Sequence, residues 1–236
     1  MKTLILLLVV FVVSAFADWD GSSSEPKNTR EIDGKVFYEI SSPEELAWFA
    51  AQVNGGRSRI NAVLANDIRF KDDTAKTSSV NWTPIGKDST AMFDGIFDGA
   101  GKTIYGLYSK QDRFAGMFGV TDSNAVVKDV ALAKDSIRSS FKYAYAGGVV
   151  AFNNGRIENC ANGGAVSSSN NDSYSGGIAG RNAGTISGCT NSGTVSSNND
   201  SYSGGITGRN AGTITDCTNS GEVSSGSYTG GIAGYN

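Results

Sequence analysis

Apolar positions recur in four columns between Tyr145 and Asn236 of this 236-residue chain. Tyr145, Tyr174, Tyr202 and Tyr228 head successive copies. Val149, Ile178, Ile206 and Ile232 form the second column, Ile157, Ile186 and Ile214 the third, and Val166, Val195 and Val223 the fourth. From each Tyr to the Val of its own copy the distance is 21 residues in all three complete copies, while the polar return to the next Tyr runs 8, 7 and 5 residues. A constant core with an elastic polar loop is what a solenoid needs, because strands must stay in register with the coil beside them while an outward turn can change length freely. The pattern predicts an all-β, right-handed parallel β-helix. About three short strands are expected per coil, around Gly-Gly-Ile, Gly-Thr-Ile and Gly-Thr-Val.

Polar columns run beside the apolar ones. Asn153, Asn182, Asn210 and Asn236 form one, Asn162, Asn191 and Asn219 another, and both suit side-chain amide ladders along the stack at turns. Ile186 and Cys189 are three apart and cannot share one face of a regular strand, so a bend is predicted between them. The same spacing appears at Ile157/Cys160 and Ile214/Cys217. It also appears at Val127/Val130 and Ile104/Leu107, which extends the solenoid back into the N-terminal half. A column that holds Cys in some coils and Val or Leu in others wants a buried apolar side chain, so Cys160, Cys189 and Cys217 are expected as buried thiols. A zinc site would want further nitrogen or sulfur ligands, and the chain has no His.

The N-terminal half begins differently. Lys2 precedes an apolar run from Leu4 to Val13 and a small-residue stop at Ala15-Phe16-Ala17, so residues 1–17 are predicted to be a signal peptide cleaved after Ala17. The run is too short for a membrane-crossing helix, and no span is expected after cleavage. Ser42-Pro43-Glu44-Glu45 followed by Leu46, Phe49, Ala50 and Val53 reads as an amphipathic helix over about 42–54. Its position, within an N-terminal segment 18–60 and ahead of degenerate coils over 61–144, fits a cap on the open apolar end of the solenoid. Strands are expected from Asn61 onward.

Composition narrows the functional classes. The 31 glycines and three prolines favour tight turns, and a net charge of −3 gives no electrostatic support for nucleic-acid binding. Asp94 and Asp98 are the nearest approach to a carboxylate pair for glycoside chemistry. Each precedes a glycine, however, and the turn reading is preferred. No catalytic residue, metal ligand or cofactor is assigned.

Gly177-Ile-Ala-Gly180, Gly205-Ile-Thr-Gly208, Gly231-Ile-Ala-Gly234 and Gly116-Met-Phe-Gly119 resemble the GLUG motif of bacterial surface and secreted proteins, and Gly148-Val-Val-Ala151 departs from it in the last position. The resemblance covers 145–236, as repeats of about 28 residues that stop mid-coil. It implies a secreted or cell-surface β-solenoid, a stalk or adhesive module contacting a surface, a polysaccharide or another subunit. A β-helix polysaccharide lyase or glycoside hydrolase is the alternative. A flat threonine array at Thr185-Ile-Ser187 and Thr213-Ile-Thr215, of the kind that orders ice, is a third reading, carried by only two coils. End-to-end stacking through the last coil is a further expectation. Tyr145, Tyr174, Tyr202 and Tyr228 would form an aromatic binding strip for sugar rings if they face outward. Strand parity shared by Tyr174, Gly176 and Ile178 favours rings that plug a coil corner instead.

Overall fold

A computed structural model describes residues 18–71, 78–198 and 200–236. The expected signal peptide over 1–17 lies outside them. Among the described residues the chain is an all-β parallel solenoid of about five turns with a single helix. It opens with an antiparallel hairpin, Thr29–Ile32 against Lys35–Ile40, which turns through Asp33 and Gly34 at φ of 50° and 72°. Lys35–Ile40 then pairs in parallel with Asn61–Leu64, which pairs with Ile96–Asp98. The first sheet therefore begins well before Asn61.

The helix Pro43–Asn54 lies between those strands. The Glu45 N–H donates to Ser42 Oγ at 3.3 Å, and Glu45 Oε2 accepts from the Ser41 N–H at 2.6 Å, so its first turn is satisfied from both sides. Leu46, Phe49, Ala50 and Val53 are buried in the core. Phe49 meets Phe93 and Phe97 edge-on, with ring centroids 6.0 and 6.1 Å apart.

Each complete coil carries five short strands rather than three. In the coil from Tyr145 they are Tyr145–Gly147, Val150–Asn153, Arg156–Glu158, Ala161–Asn162 and Ala165–Ser168. Each joins its own parallel sheet, called here the tyrosine, arginine, isoleucine, asparagine and valine ladder in that order. The Gly-Gly step cuts the first expected strand in two, and a left-handed corner cuts the second. That corner falls between Ile186 and Cys189, where a bend was predicted: Asp129, Asn159, Gly188 and Asp216 occupy equivalent positions with φ between 52° and 62°.

The register corrects one column. Val127 lies beside Ile157 as expected, but the residue above it is Phe97, not Ile104. Ile104 instead pairs with Leu132, which pairs with Asn162, so the column reads Ile68, Ile104, Leu132, Asn162, Asn191, Asn219. An apolar column thus turns into an amide column inside the solenoid. The three-residue spacing at Ile104/Leu107 matches that at Ile157/Cys160 because apolar pairs flank more than one corner of the coil.

Serines also line the interior. Ser168 and Ser175 hydroxyls are 2.9 Å apart, and Ser197 and Ser203 repeat the pair at 2.8 Å. Ser109 is different, since it sits in the valine ladder beside Ile137 and its buried hydroxyl has no partner. Ser109→Ala should therefore raise the unfolding free energy by about 1 kcal/mol, read from denaturant melts. A clear loss of stability would mean that the hydroxyl has a partner in solution.

Candidate functional site

The tyrosine ladder faces outward. Phe114, Tyr145, Tyr174, Tyr202 and Tyr228 lie in register, with successive ring centroids 5.7, 5.4, 5.1 and 4.5 Å apart and planes within 13° of parallel. The parity argument that turned these rings inward fails because the chain bends at Gly177-Ile178. Ser175 takes the interior position of its strand, while Ile178 reaches the core from the bend. Tyr145, Tyr174 and Tyr202 are partly exposed and Tyr228 is exposed. Stacking on each other covers the ring faces along the row, so what the ladder offers a ligand is ring edges and phenol hydroxyls. Burial holds the Tyr174 phenol above its ordinary range against the opposing pull of Arg209, so it stays a neutral donor and acceptor.

The arginine ladder runs alongside. Its outer column is Val120, Phe152, Arg181, Arg209 and Tyr235. Arg181 lies over the Phe152 ring at 4.4 Å, and Arg209 lies 6.0 Å from the Tyr174 ring and 5.6 Å from the Tyr235 ring. Tyr145 and Phe152 approach to 5.5 Å, and Tyr202 and Tyr235 to 5.6 Å, so the two columns meet along one face. A shallow cavity of about 200 Å³ opens between Tyr174, Tyr202, Arg209 and Tyr235.

The Gly-Gly step brings these two ladders together. A Cβ on Gly176 would lie 2.0 Å from the Ala179 carbonyl oxygen, and one on Gly177 would lie 2.2 Å from Asn191 Cγ. The first glycine lets two strands pack backbone to backbone, and the second leaves room for an interior asparagine. Gly148 stands against Asn162 and Gly205 against Asn219 in the same way.

Both asparagine columns are hydrogen-bonded ladders, as their spacing suggested. Asn153, Asn182, Asn210 and Asn236 are joined Nδ2 to Oδ1 at 2.8, 2.9 and 2.8 Å, and Asn162, Asn191 and Asn219 at 2.8 and 2.8 Å. The first begins at Thr121, whose hydroxyl donates to Asn153 Oδ1 at 2.9 Å. The second begins at Asp135, a buried carboxyl whose two oxygens lie 3.2 and 3.3 Å from the Asn162 amide. Asn191 Nδ2 donates to the Gly193 carbonyl at 3.0 Å, which fixes the direction of that ladder. Turning the Asn162 nitrogen toward Asp135 would set two amide oxygens face to face at 2.8 Å. The proton therefore belongs to Asp135, and burial pushes its carboxyl up to about 7.

Cys160 and Cys189 are buried free thiols, and Cys217 is a half-buried one. The Cys160 N–H donates to Cys189 Sγ at 3.3 Å and the Cys189 N–H to Cys217 Sγ at 3.4 Å. Hydrogen bonding with Cys160, with burial, pushes the Cys189 thiol up to about 12, which leaves it protonated and unreactive. The Asp94 and Asp98 carboxylates are engaged by cations, Arg59 at 2.7 Å and Lys128 at 2.8 Å, and Asp98 also accepts the Ala100 N–H at 2.7 Å within its turn. Among the described residues no three His, Cys, Asp or Glu side chains cluster as metal ligands, and no helix is long and apolar enough to cross a membrane.

The GLUG motif family model matches residues 171–196 and 199–224. No curated protein matches the chain. The fold is similar to a solved crystal structure from Bacteroides ovatus, described as that of a "putative immunoglobulin A1 protease", with a TM-score of 0.54, 16% identity, and coverage of 84% of this chain and 76% of that one. At that identity the likeness concerns the fold alone. The glycine pairs Gly176-Gly177 and Gly204-Gly205, with Asn182, Asn191, Asn210 and Asn219, lie within the matched segments, and the chain carries two adjacent GLUG repeats on a parallel β-solenoid.

Proposed function

We propose that this chain is a secreted or cell-surface adhesion module that contacts polysaccharide along the tyrosine ladder. The winding is taken as right-handed, the sense that parallel crossovers favour. The helix Pro43–Asn54 serves as the cap of the first coils. The observation that carries the reading is the outward row of stacked rings, which holds phenol hydroxyls at the coil repeat beside a second, cationic column. A linear polymer with hydroxyls at regular intervals suits such a row, because several weak contacts add along it.

Replacing Tyr145, Tyr174 and Tyr202 together by Phe keeps the stack, as Phe114 shows at its first position, and removes only the hydroxyls. Polysaccharide affinity, found on a glycan array and measured by calorimetry, should fall about tenfold or more while the melting temperature holds. Unchanged affinity in the triple variant would overturn the ladder as the contact surface.

A further inference from the structure

We infer that the polysaccharide is anionic, and that Arg181 and Arg209 are the residues that read its charge. The inference rests on the reading of this face as a polysaccharide-contact surface and adds the ligand class.

Arg181 and Arg209 are register partners in adjacent coils, so two like-charged side chains leave strands about 4.8 Å apart. Like charges directly opposite on neighbouring strands are destabilising. Four other cations of the solenoid are paired: Arg59 with Asp94, Lys128 with Asp98, Lys142 with Asp172, and Arg156 with Glu158. Among the described residues Arg181 and Arg209 have no acidic partner. The Nε–H of each is buried without an acceptor. Aromatic rings hold the pair in place, with Phe152 above Arg181 and Tyr235 below Arg209. Both arginines are only half-buried, their planar guanidinium groups suit carboxylate or sulfate oxygens, and an anion between them would relieve their repulsion. The adjoining cavity admits the ligand from the tyrosine side, where phenol hydroxyls meet uncharged sugar hydroxyls.

Dextran and dextran sulfate share one backbone and differ in charge, alginate presents carboxylates in place of sulfates, and polyglutamate presents carboxylates without sugar. Calorimetry of the purified chain should show dextran sulfate or alginate bound at least about tenfold more tightly than dextran, with affinity falling as salt rises. Arg181→Gln combined with Arg209→Gln should abolish that preference. Arg156→Gln, on the isoleucine ladder and outside this face, should leave it intact. Arg181→Lys with Arg209→Lys keeps the charge but loses the planar fork, and should retain part of the preference should the glutamine pair fail to fold. Dextran sulfate and alginate separate sulfate from carboxylate as the anion read. An undiminished preference in the glutamine or lysine pair overturns the inference, as does polyglutamate binding as tightly as the glycans. Binding of dextran equal to that of its sulfate, still lost in the triple Tyr→Phe variant, would leave the adhesion reading standing and sink this one. No binding to any glycan would sink both.

Discussion

Gly177→Ala should destabilise the solenoid by about 3 kcal/mol or more. The added carbon would stand 2.2 Å from Asn191 Cγ and 2.4 Å from the Gly205 carbonyl oxygen, one in the interior amide ladder and the other in the next coil's backbone. Asn191 cannot swing aside, because its amide is bonded to Gly193 and Asn219 at once. Forcing it out strands buried donors and acceptors. Gly231→Ala is the matched control at the equivalent position of the last coil, where nothing lies within 4 Å of the new Cβ. Denaturant melts of the two variants should differ by nearly the whole effect. Combining Gly177→Ala with Asn191→Ala should recover part of the loss, giving a coupling energy between two residues far apart in sequence. Equal melts for Gly177→Ala and Gly231→Ala would refute the packing account.

Asp135→Asn should stabilise the protein at pH 8 and leave it nearly unchanged at pH 4. In the folded chain the carboxyl titrates at about 7, through burial, while in the unfolded chain it titrates near 4. A raised carboxyl pKa means that the unfolded state gives up its proton first, so this group's contribution to stability is complete below pH 4. It is lost between pH 4 and 7 and stays lost above. The size is on the order of 4 kcal/mol. Asn supplies an N–H to the Asn162 oxygen at any pH, as the protonated carboxyl does only in acid. No charged neighbour contributes to the shift, and the ladder positions beside Asp135 are Leu107 and Gly164, whose missing side chain leaves room for the carboxyl. The test is the difference between wild-type and variant melting temperatures across pH 4–8, which cancels the ion pairs common to both. A difference that stays flat, or that grows toward acid, would place the proton elsewhere.

The coil and its polar ladders were legible in the sequence because a solenoid repeats its environment: the same site gives the same residue, and Tyr174, Tyr202 and Tyr228 announce one column. The GLUG likeness was legible for the same reason. Legibility faded wherever two environments accept the same residue type. Ile104 suited the isoleucine ladder as well as the position it takes, and only the register of Thr103–Tyr105 with Ala131–Ala133 separates the two. Strand number was misjudged because a two-residue glycine step reads as one strand with a weak spot, whereas it is a fold in the backbone. The same error turned the tyrosines inward, since parity counting assumes that the strand continues. Arg181 and Arg209 escaped attention because a charge recurring in only two coils looks scattered until Phe152 and Tyr235 are seen to bracket it. Asp135 carried no sequence signal at all. Its partner is 27 residues away, in a column that is apolar until that coil.

The amide ladders run one way. Along each, an asparagine takes a hydrogen bond on its oxygen from the preceding coil and gives one from its nitrogen to the next. Every such coil is therefore both plug and socket, and its two ends carry opposite halves of the same bond. Inserting or deleting a whole repeat leaves no amide unmatched, whereas inserting part of one breaks both ladders. Reach along the axis can then be lengthened or shortened in whole coils at no cost to the interior.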